Sequence, residues 1–400
     1  MSKETNRQGD CTPGWSIPFS GSKRWVIFDP DMNATYWYYA VTRDPEDTTG
    51  FKFHGKFGHA RYQAYNVYND DTKDLVWGDD ATRISALSDV NIVPDEGSNN
   101  PYQLAVPRDT REREYTVWVV PDGGDTSGYR NFITFPKDVE KLSIFLRVYL
   151  PDRNLEGQPH YLSGGVELPT IEDFNTLTGL PAPCLPTRNI LQPDEDGDGD
   201  GSGDGDGSDP PNPGPNTDGK VRFYRLGGGG LYPNEDSAYL ASIFENIDDT
   251  VAVIRIKPPT HTDTSDPGGV LLAQQMVRYW SFNVYSIKLT NVTACLADYQ
   301  AVVAKDGFVY LALGRQSPAI QKKAEGLNFL PWGPHQKILF VYRNMFSNPY
   351  FPYSAAAVPI YSEDETRSAD YFIGDYAPIG VYGPEESFLK DFCGFPVSYP

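Results

Sequence analysis

Eight consecutive residues recur without a gap in the two halves of the chain: Arg61-Tyr62-Gln63-Ala64-Tyr65-Asn66-Val67-Tyr68 and Arg278-Tyr279-Trp280-Ser281-Phe282-Asn283-Val284-Tyr285, five of them identical. The motifs around them keep the same order. Pro30 and Tyr36 are answered by Pro233 and Tyr239, Leu87-Ser88-Asp89 by Leu296-Ala297-Asp298, and the run from Tyr115 to Val120 by Phe308 to Leu313. Further on, Asn131-Phe132 is answered by Asn328-Phe329, and Lys141-Leu142 with Arg147 by Lys337-Ile338 with Arg343. A shared order of motifs implies a shared supersecondary plan, so the chain reads as a duplicated module.

Between the copies, Gln192 to Lys220 holds nine acids, one base and no aliphatic or aromatic side chain. Such a segment has nothing to bury and reads as a tether. The expected division is 1–191 for the first β module, 192–220 for an acidic linker and 221–400 for the second β module. Both modules are built of short runs of Val, Ile, Phe, Tyr and Trp, cut by turn signals such as Pro121-Asp122-Gly123-Gly124 and Lys305-Asp306-Gly307. The expected class is all-β, two tandem β-sandwich or jelly-roll modules with few short helices. The helical candidates are Ile171 to Leu177, Ala238 to Asn246 and Leu271 to Gln275.

Charge narrows the partners. Fifty-four acids against 34 bases leave a formal charge of −20, which argues against a phosphate backbone and hence against nucleic acid. A run of about 18 apolar residues, the minimum for a membrane span, is absent from the sequence. The four cysteines, Cys11, Cys184, Cys295 and Cys393, are even in number and widely spaced. That pattern points to two disulfides, Cys11 with Cys184 and Cys295 with Cys393, with four free buried thiols as the alternative.

Several of the repeated segments also resemble a known family. Arg278 to Tyr285, the Asp306-Gly307 turn, Asn328 to Gly333 and Arg147 to Pro151 are similar to the domain-of-unknown-function family 1214, a bacterial β jelly-roll module often found beside a second β domain. Including Gly58 to Tyr62 and Leu330 to Asn344, the chain resembles a set of uncharacterised exported bacterial proteins with the same motif order. The resemblance implies a fold and no reaction. With the cysteine parity, it implies a secreted, periplasmic or cell-surface location, although the first twenty residues lack the apolar core of a signal peptide.

Standard catalytic signatures are missing: there is no G-x-S-x-G elbow, H-E-x-x-H, C-x-x-C, P-loop or dinucleotide fingerprint. What remains are polar residues in apolar strands. Arg61 and Arg147, with their counterparts Arg278 and Arg343, need carboxylates if buried, and Asp89 and Asp298 are the natural partners within each module. The functional alternative is that these arginines grip an anionic ligand. His59 is the candidate general base, because the copy carries Met276 in its place. The catalytic set would then be His59, Arg61 and Asp89, with Arg278, Trp280, Arg147 and Arg343 binding ligand. If their loops converge, His54, His59 and His261 would hold a transition metal. Asp196, Asp198 and Asp200 alternate with glycine as in a calcium loop, but Gly207 stands where the bidentate Glu is needed; a solvated spacer is the alternative. No other cofactor is implied.

The leading expectation is an exported two-module β protein that binds a small-molecule or saccharide-like ligand at the intermodule cleft, on a surplus of Trp and Tyr. One alternative is a hydrolase- or isomerase-type enzyme. Another is a surface-assembly protein that homo-oligomerises through edge strands and the aromatic segment Asn348 to Tyr353.

Overall fold

The structure is a computed structural model and describes residues 13–20, 30–71, 83–152, 166–190, 213–227, 232–245, 249–264, 270–287, 291–324 and 327–390. In the first half, one sheet has the order β1(Phe19–Ser20), β2(Ala34–Thr42), β8(Lys141–Pro151), β4(Ala60–Asn69), β5(Arg83–Ser88). The second sheet runs β7(Phe132–Phe135), β6(Glu114–Pro121), β3(Thr49–Lys56), β9(Thr170–Asn175). In the second half the orders are β11(Ser237–Glu245), β17(Lys337–Ser347), β13(Val277–Ser286), β14(Val292–Ala297) and β10(Lys220–Val221), β18(Ile379–Pro384), β12(Thr250–Ile256), β15(Val309–Gly314), β16(Asn328–Pro331). The described residues are mostly β, in four sheets.

The halves follow one wiring pattern. β2-β8-β4-β5 corresponds to β11-β17-β13-β14, and β7-β6-β3-β9 to β16-β15-β12-β18. Among the described residues, one pair of strands in each half runs parallel, β6 with β7 and β15 with β16. Both copies of the eight-residue motif carry an irregularity at the same place, between Val67 and Tyr68 and between Val284 and Tyr285. Asn131 and Asn328 do the same work: each carboxamide accepts from the N–H of Val93 or Val302 and donates to two carbonyls, those of Val93 and Thr116 or of Val302 and Tyr310. Even backbone strain is repeated, since Leu150 and Phe346 sit at φ 46° and 51°. Their N–H groups donate to the carbonyls of Asn33 and Asp236, which anchor two residues in a region costly for a side chain.

Strand alternation places the cores. Trp37, Tyr39 and Val41 of β2 join Phe51 and Phe53 of β3, Val117 of β6 and Leu146 of β8 in the core shared by the first half's two sheets. Tyr36, Tyr38 and Ala40 point the other way, into a cluster with Tyr62, Tyr68, Phe145 and Tyr149 that is completed by Tyr232, Tyr279, Ala297 and Met345 of the second half. β2, β4 and β8 are therefore buried on both faces, and an aromatic seam fills the space between the halves. Burying a ring of this size contributes about 1.5–3 kcal/mol.

Three expectations are corrected. Ile171 to Leu177 is not helical: most of it lies in β9, where pairing with β3 satisfies a backbone that one isolated turn or two of helix could not hold together. Ala238 to Asn246 lies largely in β11, and Leu271 to Gln275 is a turn. Among the described residues the α-helices are α1(Pro318–Lys323), α2(Ala369–Ile373) and α3(Glu385–Lys390), the first capped by Ser317. Third, no disulfide joins two described residues, and the bond expected for Cys295 is not made. Cys295, expected to pair with Cys393, is a free thiol; β14 turns it toward the seam, where Asn33 Nδ2 lies 3.3 Å from its sulfur and burial pushes the thiol up. Cys11 and Cys393 lie outside the described residues, as do Asp196, Asp198 and Asp200.

Candidate functional site

The strands that carry the repeated motif bring Arg61 and Arg278 to the junction of the halves, where both are buried, at 1% and 2% exposure. Each arginine pairs with the acid of the other half. Arg61 Nη1 donates to both oxygens of Asp298 at 2.6 and 2.7 Å, and Arg278 Nη1 donates to Asp89 Oδ1 at 2.5 Å. Each acid is docked on its own half by a backbone N–H, Asp89 by Gln63 and Asp298 by Trp280, which are counterparts in the repeat. The expected pairing inside each module is thus replaced by a crossed one. The acid is already seated on the strand that bears its own arginine, so its open side faces the guanidinium arriving across the seam. Burial still pushes the Asp89 carboxyl up, against the pull of Arg278.

The two pairs differ in their surroundings. Arg61 Nη2 has a second carboxylate, Asp263 at 3.0 Å, whereas Arg278 rests on the rings of Phe346 and Tyr102, at 4.5 and 5.8 Å. His261 Nε2 approaches Asp298 to 3.8 Å. Arg343 donates to Asp31, Tyr149 and Tyr285; its counterpart Arg147 donates to the Tyr68 hydroxyl and the Tyr232 carbonyl. Trp280 is buried in the second half's core, 1% exposed. These ligand-binding candidates are inside the fold, and the space expected to form an intermodule cleft is occupied by the tyrosine seam.

His59 stands at the edge of this junction, its side chain 26% exposed. Arg113 Nη1 donates to its Nδ1 at 2.8 Å, and Asp152 Oδ2 lies 4.0 Å away. Burial, then Arg113 and Arg108, lower its pKa to about 4. The ring is neutral near pH 7, and because an arginine cannot accept, its proton is on Nε2. His59 therefore offers a hydrogen-bond donor, where a general base must offer a lone pair. His59, Arg61 and Asp89 do not form one hydrogen-bonded set, since Asp89 is held by Arg278. His54 contacts Thr116 and Asp95, away from the partners of His59 and His261. Among the described residues no group of His, Cys, Asp and Glu is placed to hold a metal.

Sequence reasoning missed Arg108, Arg113 and Asp152. Arg108 donates to the Ala60 carbonyl and, at 3.0 Å, to Asp152 Oδ1; its guanidinium lies over the Tyr102 ring. The available signal was the length of the connection holding the two arginines, Asn91 to Glu114 in the first half against Gln300 to Val309 in the second.

An open groove of about 330 Å³ lies elsewhere, on the first half's β7-β6-β3-β9 sheet. Trp118, Ile171, Phe174 and Pro181 give it apolar walls, and Lys52 and Glu172, 2.9 Å apart, a charged rim. Trp118 stacks on Tyr129 at 4.4 Å, and Lys52 Nζ lies 5.6 Å from its ring centre.

No family model matches the chain, and no curated protein is similar to it, so the resemblance to family 1214 stands on its short motifs alone. The crystal structure of an uncharacterised protein from Burkholderia cenocepacia is similar at a TM-score of 0.52 and 12% identity, covering 94% of this chain and 83% of that one. A protein of Vibrio parahaemolyticus matches at a TM-score of 0.42 and 11% identity, over 88% of this chain and 89% of that one. Among the described residues no helix is long and apolar enough to cross a membrane. What the comparisons establish is a likeness of fold to an uncharacterised bacterial protein.

Proposed function

We propose that the chain is an internally duplicated pair of β-sandwich modules, of the jelly-roll type its family 1214 resemblance implies, and that it binds a small saccharide-like ligand on the outer face of its first half. The observation that carries the binding reading is the groove at Trp118. Its volume of about 330 Å³ suits a single sugar ring or a molecule of that size, and it joins apolar walls to one polar pair able to orient hydroxyls. At the seam, by contrast, tyrosines and paired arginines are buried against one another. The duplication reading is supported by the matching strand orders, the matching irregularities and the crossed ion pairs. Ligand entry over Trp118 would displace Lys52 from the ring, so binding should change tryptophan fluorescence. Titration with a panel of neutral mono- and disaccharides is the test: a saturable change lost in Trp118→Ala supports the reading, and a flat response across the panel sinks it.

A further inference from the structure

We propose that His59, Arg113, Arg108 and Asp152 form a second site, specific to the first half, for a small oxyanion that also carries an O–H group, as hydrogen phosphate does. Three observations lead there. First, the buried charges do not match: Arg108 and Arg113 face one buried carboxylate, Asp152, while the nearby acids Asp109 and Glu167 are exposed and Glu167 is already paired with Lys56 at 3.3 Å. Second, hydrogen-bonding capacity is left over on both sides. Arg108, 1% exposed, keeps Nη1 and Nε without partners, and Asp152, 2% exposed, keeps Oδ2 without one. Unmet buried donors and a buried acceptor side by side call for a group that accepts from one and donates to the other. Third, the set is absent from the second half, where Met276 and Asn348 replace His59 and Asp152 and the arginine-bearing connection is short.

The chemistry of the ligand follows from these groups. Guanidinium N–H donors and the His59 Nε2–H bind oxygen atoms of an anion, and the partly exposed His59 and Arg113 give it a way in. Asp152 Oδ2 repels a bare oxygen but accepts from a P–OH. Phosphate is therefore favoured over sulfate, which has the same shape and no proton to give.

Isothermal titration of the full chain at neutral pH with inorganic phosphate and with sulfate tests this. We expect saturable phosphate binding, with sulfate at least about tenfold weaker, and a loss of about tenfold or more in phosphate affinity in Arg113→Gln. Should Arg113→Gln not fold, His59→Gln serves, with a loss in the same direction. Asp152→Asn should narrow the gap between the two anions. Equal affinity for phosphate and sulfate, no phosphate binding at about 10 mM, or wild-type affinity in the folded variant each overturn the proposal. Because Trp118 is left untouched, these outcomes are independent of the groove.

Discussion

Arg147 and Arg343 hold equivalent places on β8 and β17, yet they are neutralised differently. Arg343 meets the Asp31 carboxylate at 3.2 Å, while Arg147 has no carboxylate partner among the described residues. Arg147 is held instead by a hydroxyl, a carbonyl and the rings of Tyr36, Phe145 and Tyr68 at 5.3, 5.5 and 5.8 Å. The loop before β2 reads Asp31-Met32-Asn33, and the loop before β11 reads Asn234-Glu235-Asp236, so the aspartate has moved two places. Asp31 accepts from the Tyr279 hydroxyl, and Asp236 from the Tyr62 hydroxyl at 2.6 Å, so both tyrosines keep a carboxylate although only one arginine does. The backbone plan tolerates relocation of a buried charge provided that the hydroxyl reaching across the seam is still met. Rings and carbonyls can carry a guanidinium that has lost its acid.

The crossed pairs should show the largest difference between halves. Asp89→Asn strands Arg278 inside the protein, and urea unfolding should register a loss of about 3–5 kcal/mol. Asp298→Asn should cost measurably less, since Arg61 retains Asp263; equal costs would mean that Asp263 contributes nothing. Next comes Asp31→Asn, which writes the second half's residue into the first. It should destabilise by about 2–4 kcal/mol, because Arg343 has the single ring of Tyr239, at 5.0 Å, where Arg147 has three.

The reverse edit should be favourable. Burial pushes Asp236 up to about 6, the fold taking up a proton that the unfolded chain releases until near pH 4. That carboxyl makes stability fall as pH rises through 6. Asp236→Asn, which restores the Asn33 pattern, should raise stability at pH 8 by about 1–2 kcal/mol and remove that slope. A loss of stability at pH 8 would show that the ionised form is needed.

The smallest effect concerns His59, which opposes Asp236 on the pH axis. Its pKa is depressed to about 4, so the unfolded chain binds the proton first and stability falls as pH drops from about 6.5 toward 4. His59→Met, the residue of the copy, should flatten that decline in thermal melts across the same range. A decline as steep as before would place its cause in other groups.

The fold was legible in the sequence to the extent that its signals were local. The gapless motif around Arg61 and Arg278 falls on β4 and β13 in the same register, and alternation along Tyr36 to Val41 separates the two faces of β2. What could not be read was anything decided by the other half. Asp89 and Asp298 were recognisable as the arginines' partners, but which arginine met which acid depended on how the sheets face each other. Edge strands were hard for a related reason: Thr170 to Asn175 has an ambiguous period, and only β3 alongside decides it. The junction's polar set was half visible, through the divergence of His59 from Met276. Arg108 and Arg113 lie in a connection with no counterpart, where a repeat comparison has nothing to compare.

A contact in which residue i of one copy meets residue j of the other, while j meets i, is the mark of a closed two-fold interface. Arg61 with Asp298 and Arg278 with Asp89 obey that rule within a single polypeptide. On the duplication proposed above, one ancestral module carrying both residues was self-complementary, and every substitution struck both sides of its homodimer at once. Fusion into one chain lets each side change alone, and Asp31 opposite Asn234 and His59 opposite Met276 are changes of that kind.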